Sequence, residues 1–172
     1  MSFYEKLLES TGTWDAFKAD WKSQCEKYDE DFEDYASNTF DTISEIITTD
    51  EKKSGIFAFK EDGKFISMCQ LNVAGLPKYD SPVMRIRFLT LCPDIDFGET
   101  TIDEYGNILT TTLASILAIS SHVDDLKVNH IKMHLRSPAD RQFFAMLGKG
   151  LNETDVFASV QTVGAWLYIT KE

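Results

Sequence analysis

The sequence of 172 residues has few cysteines and no long apolar run. Cys25, Cys69 and Cys92 are odd in number and form no CxxC pair, which excludes a disulfide framework and a cysteine-rich zinc site. No apolar segment approaches the ~20 residues that cross a bilayer, and the N-terminus lacks the basic and apolar regions of a secretion signal. We therefore expect a cytoplasmic protein of one domain, residues 1–172, with no membrane partner.

Basic charge is scarce, above all near the N-terminus. The formal net charge is −11, and residues 1–50 hold four lysines, no arginine and thirteen acidic residues. Nucleic-acid binding depends on neutralising phosphates, so this composition argues against a nucleic-acid partner. We interpret the acidic third as a solvated helix face, with docking to a basic protein partner as the alternative.

Apolar spacing predicts that this acidic third is helical. Trp14, Phe17 and Trp21 lie at i, i+3 and i+7, and therefore share one face of a helix. Thr13 is the predicted N-cap of that helix. A second helix is predicted around Phe40 to Ile47, after an acidic connection.

Residues 54–172 are predicted to form a sheet with flanking helices. Two strands meet in a hairpin at Asp62-Gly63, because glycine tolerates the positive φ of a tight turn. The strand VMRIRFLTL is followed by a helix with the capping box Thr101 to Glu104, and then by the strand VNHIKMHLR. A strand–helix–strand crossover implies a parallel pair. The predicted class is α+β, with a mixed, mostly antiparallel sheet and a central parallel pair.

The segment SPADRQFFAMLGKGL, residues 137–151, predicts a short helix near the C-terminus. Ser137 is its predicted N-cap, and Gly148 and Gly150 are predicted to end it. The segment VFASVQTVGAWLYIT is predicted to be one strand, or two strands with a break near Gly164.

The helix at residues 137–151 also carries a pattern of small and aromatic residues: Ser137, Ala139, Phe143-Phe144 and Leu147-Gly148. Together with the order of elements, this pattern resembles the GNAT superfamily of acyl-CoA-dependent N-acyltransferases. The resemblance implies that the parallel strands separate at their C-terminal ends, where acetyl-CoA or another acyl-CoA meets a small-molecule or protein amine. The cofactor contacts that it implies are Leu91, Gly98, Thr100, Thr101, Ile102 and Phe144.

Three features depart from the family's pattern. Phe144 stands where many members carry a tyrosine whose hydroxyl protonates the leaving thiolate. The loop that should hold the CoA pyrophosphate carries three carboxylates, Asp94, Asp96 and Glu99, and each close pair with a phosphate costs roughly 1 kcal/mol near water. The family's first strand is also not evident before Trp14. We therefore expect weakened binding of an acyl-CoA.

Other site residues are assigned from strand alternation and from the resemblance. His134 is the candidate general base, because histidine titrates near neutral pH, and Tyr168 is the substitute acid. Arg85, Arg87 and Arg136 are candidate substrate contacts. In an alternative interpretation these basic groups pair with the acidic N-terminal helices across the sheet. No metal site is predicted, because the histidines of VNHIKMHLR have no evident third ligand.

The sequence leaves two functions open. One is an acyl-CoA-dependent N-acyltransferase, which the basic strand faces favour. The other is a non-catalytic protein of the same fold that binds a protein partner or another ligand, which the acidic loop and Phe144 favour.

Overall fold

The computed structural model describes residues 4–152 and 156–172. The strands in these residues are β1 (Tyr4–Lys6), β2 (Ser54–Glu61), β3 (Lys64–Ala74), β4 (Val83–Leu91), β5 (His130–His134), β6 (Phe157–Val163) and β7 (Trp166–Lys171). They form one sheet in the order β1-β2-β3-β4-β5-β7-β6. Every neighbouring pair is antiparallel except β4 and β5, which are parallel. The predicted α+β class and mixed sheet are confirmed.

The helices flank this sheet on both faces. They are α1 (Thr13–Glu26), α2 (Phe32–Ile43), α3 (Pro93–Phe97), α4 (Ile102–His122) and α5 (Pro138–Asn152). The first two share an aromatic core with β2 and β3, while α4 and α5 bury the apolar side chains of the opposite face. Among the described helices, none has the length and hydropathy needed to span a bilayer.

The N-terminal third differs from the prediction at its start. The predicted apolar face of α1 is confirmed, since its tryptophans and Phe17 are buried. Thr13 is not the N-cap, because Gly12 takes that position with φ 76°, and the Thr13 hydroxyl donates instead to the Lys6 carbonyl at 2.8 Å. A first strand does precede Trp14, as β1 pairs with β2. Three residues are too few to show a strand period.

The second helix begins earlier than predicted. It starts at Phe32, inside the segment interpreted as an acidic connection. The Asp31 carboxylate accepts a hydrogen bond from the Glu33 N–H at 2.7 Å, and the acidic residues of the first turn complement the helix dipole. The acidic segment is therefore partly the start of α2.

The predicted end of α5 is wrong, although its predicted start is confirmed. Ser137 Oγ accepts a hydrogen bond from the Asp140 N–H at 3.0 Å, as an N-cap does. The helix continues past Gly148 and Gly150 to Asn152. A Cβ at Gly148 would lie 3.3 Å from Val160 Cγ1, so this glycine permits close packing of the helix on β6.

Both predicted turns between strands are present. Asp62 and Gly63 join β2 to β3 with φ of 49° and 80°, and Gly164 separates β6 from β7 with φ 59°. Positive φ at these positions is the reason that glycine is favoured in them.

The parallel pair separates at its C-terminal end, as the resemblance implied. Strands β4 and β5 pair only between Val83–Ile86 and His130–Met133, while β4 continues to Leu91. The register with β3 shifts in the unpaired part of β4, where Phe88 has φ 55°. A bulge of this kind twists a strand and redirects its side chains, and here it accompanies an opening between β4 and β5.

Candidate active site

A small cavity of about 230 Å³ lies where β4 and β5 separate. We call it the strand-end cavity. Its ionisable lining comes from four helices and the loop after β5, and consists of Tyr35, Asp96, Tyr105, Arg136 and Asp140. The end of β4 adds Leu89, Thr90 and Leu91. The cavity is therefore assembled from several elements that are far apart in the sequence.

A larger groove of about 970 Å³ lies between the first turns of α4 and α5. We call it the interhelix groove. Thr101 and Ile102 line it from α4, and Phe143 and Met146 line it from α5. Tyr105 lines both the groove and the strand-end cavity. The two spaces therefore meet at one phenol.

Tyr105 is held by a carboxylate at this meeting point. Its hydroxyl donates a hydrogen bond to Oδ1 of Asp140, which is buried. Burial, and then the hydrogen bond to Asp140, raise the pKa of Tyr105 above its ordinary value. Tyr105 therefore keeps its proton at neutral pH.

A second phenol and carboxylate lie on the other side of the cavity. The Tyr35 hydroxyl oxygen is 2.7 Å from Oδ2 of Asp96 and 2.7 Å from the carbonyl oxygen of Leu91. The Asp96 residue is exposed to solvent at the mouth of the cavity, but its carboxyl group is partly buried by neighbouring atoms. This burial raises the pKa of Asp96; the hydrogen bond from Tyr35 opposes the shift and the charge of Asp140 adds to it.

The acidic segment after β4, which was predicted to be a loop, begins with a short helix. Residues Pro93–Phe97 form the short helix α3. The Asp94 carboxylate pairs with Lys27 at 3.0 Å, and Asp96 faces the strand-end cavity. Two of the three carboxylates expected to repel a phosphate are thus engaged elsewhere.

A different carboxylate lies at the N-terminus of α4. The predicted capping box is confirmed, since Oε2 of Glu104 accepts a hydrogen bond from the Thr101 N–H at 2.8 Å. That backbone hydrogen bond lowers the pKa of Glu104. A negative charge therefore already occupies the end of the helix where a phosphate would be favoured.

The predicted cofactor residues divide between four places, of which the core position of Phe144 is the last. Thr100, Thr101 and Ile102 line the interhelix groove, and Leu91 lines the strand-end cavity. Gly98 packs tightly, because a Cβ there would meet the carbonyl oxygen of Asp94 and lie 2.9 Å from the Tyr28 hydroxyl.

Phe144 does not line the groove. It is 1% exposed and lies in the core between the helices and the sheet. Its neighbour Phe143 lines the groove instead, with its ring close to Gly106, where a Cβ would lie 3.1 Å from Phe143 Cε2.

Most of the predicted catalytic and substrate residues lie outside the cavity. Arg136 lines it, but His134 contacts Trp166, with ring centroids 4.8 Å apart. Tyr168 lies on the sheet face opposite α4 and α5. Its ring centroid is 5.5 Å from the Lys132 ammonium nitrogen.

Arg85 and Arg87 are also on that opposite face. Arg85 Nη2 donates to Oδ1 of Asn72 at 2.7 Å. In the described part of the chain no ion pair joins this face to α1 or α2. The alternative interpretation, in which the basic strand residues pair with the acidic helices, is therefore wrong.

Sequence reasoning missed the tyrosines and aspartates of the cavity. Strand alternation cannot reveal them, because Tyr35, Asp96, Tyr105 and Asp140 all come from helices. One signal was available for two of them: Tyr105 and Asp140 lie in the first turns of the helices that follow the two parallel strands. The starts of such helices meet at one edge of a sheet.

Comparison with known proteins identifies the fold. No protein-family model matches the chain, and none of the curated proteins matches it by sequence. A probable acetyltransferase from Staphylococcus epidermidis ATCC 12228 is similar in structure, with TM-score 0.53 and 14% identity over 98% of both chains. An aminoglycoside 6′-acetyltransferase type Ii has TM-score 0.51 and 11% identity over 97% of this chain and 96% of its own. The chain has the GNAT acetyltransferase fold.

Proposed function

We propose that this protein is an acyl-CoA-dependent N-acyltransferase. The observation that carries the proposal is the meeting of the interhelix groove and the strand-end cavity at Tyr105. Transfer between two substrates needs two binding sites that share one point, because catalysis depends on holding the reacting atoms together. The fold shared with solved acetyltransferases supports the same function.

The interhelix groove fits an acyl-CoA in size and lining. Its volume of about 970 Å³ is at the upper end for small-molecule sites. Phe143 and Met146 form an apolar wall. Thr100, Thr101 and Asp103 line the groove at the start of α4, where the helix dipole favours phosphate and the capping Glu104 opposes it. When bound there, an acyl-CoA supplies the thioester carbonyl that an amine in the strand-end cavity attacks.

Tyr105 is the group of this chain best placed to protonate the leaving thiolate. It lies where groove and cavity meet, and its raised pKa keeps the hydroxyl protonated at neutral pH. Asp140 accepts its hydrogen bond and so orients the phenol. In this proposal Tyr105 is the acid that protonates the thiolate, a role that Phe144 cannot take because it has no hydroxyl.

Calorimetric titration with acetyl-CoA at low salt tests the cofactor site. We expect a Kd below roughly 100 μM, about −5.5 kcal/mol. Met146→Glu should weaken binding, because it adds a negative charge to the groove wall. The matched control is Val163→Glu, since Met146 and Val163 are both exposed apolar residues and Val163 lies on β6. Absence of binding by the parent protein would contradict the proposed function.

Release of free thiol from acetyl-CoA in the presence of n-butylamine tests the role of Tyr105. Tyr105→Phe should lower kcat by roughly 10²–10⁴-fold while acetyl-CoA affinity stays within threefold of the parent. Tyr168→Phe should have the smaller effect. The reverse order of effects would return the role of acid to Tyr168, as the sequence predicts.

A non-catalytic function is the second candidate, and the Glu104 carboxylate at the start of α4 favours it. If that charge excludes phosphate, the acidic surface of α1 and α2 becomes the main candidate site, and it fits a basic protein partner.

Glu104→Gln distinguishes the two functions. It should raise acetyl-CoA affinity a few-fold if the groove is a cofactor site, whereas no binding by parent or variant would support the non-catalytic function. Glu61→Gln, in the β2–β3 hairpin, controls for the change in net charge.

A further inference from the structure

We propose that Asp96 is the proton acceptor of the transfer reaction, linked through the Tyr35 hydroxyl to the Leu91 carbonyl. This inference rests on the proposed N-acyltransferase function and names the group that prepares the acceptor amine. An amine is an ammonium ion at neutral pH, and its nitrogen has a free electron pair only after it loses a proton.

The first observation is that the Tyr35 hydroxyl contacts two hydrogen-bond acceptors. A phenol has one hydrogen, while a carbonyl oxygen and an ionised carboxylate only accept. The Tyr35 hydroxyl oxygen nevertheless lies 2.7 Å from both Leu91 O and Asp96 Oδ2, so one hydrogen cannot serve both contacts. Both are satisfied when Asp96 carries a proton and donates it to Tyr35, while Tyr35 donates to Leu91. The geometry therefore accommodates both states of Asp96: the carboxylate accepts from Tyr35, and the protonated acid donates to Tyr35 while Tyr35 donates to Leu91.

The position of Asp96 is the second observation. It lines the strand-end cavity, which is faced by Tyr35 of α2, Tyr105 of α4, Asp140 of α5 and Arg136 of the loop after β5. Its opening to solvent allows its proton to leave to water after each turnover. Asp96 therefore combines contact with the acceptor space and a route for the proton.

Burial and the charge of Asp140 favour proton uptake at Asp96. Burial of its carboxyl raises its pKa, and the negative charge of Asp140 adds to this effect. The hydrogen bond from Tyr35 acts in the opposite direction, because a charge-assisted hydrogen bond stabilises the carboxylate.

The proton transfers balance as follows. The Asp96 carboxylate takes one proton from the ammonium group, which leaves a neutral amine and a protonated Asp96. The C–N bond then forms and the C–S bond breaks. The second amine proton replaces the proton that Tyr105 gives to the thiolate sulfur. Asp96 finally loses its proton to water, and the Tyr35 hydrogen turns toward the carboxylate, which frees the Leu91 carbonyl to accept a hydrogen bond from the next amine.

Asp96→Asn tests the proposal, with Asp94→Asn as a matched control. Both residues belong to α3, and Asp94 pairs with Lys27 outside both spaces. In the thiol-release reaction with acetyl-CoA and n-butylamine, Asp96→Asn should lower kcat/KM by roughly 100-fold or more and remove the acidic limb of the pH profile. Asp94→Asn should keep both within twofold. Calorimetry should give an acetyl-CoA affinity within twofold of the parent for both variants.

Carbon-13 NMR titration of the Asp96 carboxyl in the free protein gives a readout that does not depend on turnover. We expect Asp96 to titrate above the ordinary value of about 3.9. Tyr35→Phe should raise the midpoint further, because it removes the hydrogen bond that favours the carboxylate, and it should move the acidic limb of the rate profile to higher pH.

The outcomes separate this inference from the function on which it rests. Failure of the parent protein to bind acetyl-CoA would contradict the proposed function. Acetyl-CoA binding with thiol release that is unchanged in Asp96→Asn would overturn only the role of Asp96. An Asp96 midpoint at or below the ordinary value, and unmoved by Tyr35→Phe, would also overturn it.

Discussion

Two adjacent aromatic residues of α5 have opposite environments. Phe143 borders the interhelix groove, whereas Phe144 is 1% exposed in the core. The family pattern places a catalytic tyrosine at Phe144, but in this chain the side chain packs away from the groove. A hydroxyl at this position would therefore be buried among apolar groups.

Phe144→Tyr should accordingly destabilise the protein without raising thiol release above that of the parent. We expect a loss of about 1–3 kcal/mol in the free energy of unfolding, because the added hydroxyl has no partner in the core. Urea unfolding measures this change. Phe143→Tyr is the control and should change stability by less than about 0.5 kcal/mol, since partly exposed sites tolerate such changes. Higher thiol release with unchanged stability would instead place residue 144 at the thiolate.

At the scale of elements, the sequence predicted those with a strong local signal. The Asp62-Gly63 hairpin, the capping box of α4 and the Ser137 cap of α5 each depend on a few neighbouring residues, and all three are present. The missed elements lack such signals: β1 has three residues, and α3 begins at Pro93 in a segment that also reads as a loop.

The end of α5 shows why a local signal can mislead. Gly148 and Gly150 both have the residue type of a helix end, yet both lie inside the helix. Gly148 packs on β6, whereas nothing lies within 4 Å of a Cβ built at Gly150. The same residue type thus has a packing role at one position and no packing role at the other.

Alanine substitutions should separate these two glycines. Gly150→Ala should stabilise the protein by roughly 0.5–1 kcal/mol, because glycine inside a helix has a higher entropy cost than alanine. Gly148→Ala should give no gain or a loss, because its Cβ would press on Val160. Thermal unfolding of both variants measures the difference. Equal stabilisation by the two would show that Val160 moves aside freely.

At the scale of the whole molecule, negative charge dominates. The net charge is −11, with thirteen of the acidic residues in the first 50 positions. The described ion pairs, such as Lys6–Asp50 and Lys60–Glu5, engage only a few of them. Repulsion among the remaining carboxylates opposes the compact state.

Added salt should therefore stabilise the protein. Raising NaCl from about 10 mM to about 0.15 M shortens the Debye length from roughly 30 Å to 8 Å, which screens repulsion between exposed carboxylates. We expect the melting temperature at pH 7 to rise by a few degrees, as measured by differential scanning calorimetry. A fall would mean that the ion pairs outweigh the repulsion.

The sequence by itself determined most of the order of the elements and the parallel pair, because apolar period, turn residues and caps act over a few neighbouring positions; the GNAT-like topology followed from the resemblance of that order to the family. It also placed Thr100, Thr101 and Ile102 together at the start of α4, where they line the interhelix groove.

Only the tertiary structure decided the contents of the strand-end cavity. Tyr35 and Asp96 are 61 positions apart, and Tyr105 and Asp140 are 35 apart, yet each pair is joined by a hydrogen bond. The structure likewise directed Asp94 to Lys27 and buried Phe144. Such contacts depend on how helices pack across the sheet, and no spacing along the chain encodes that packing.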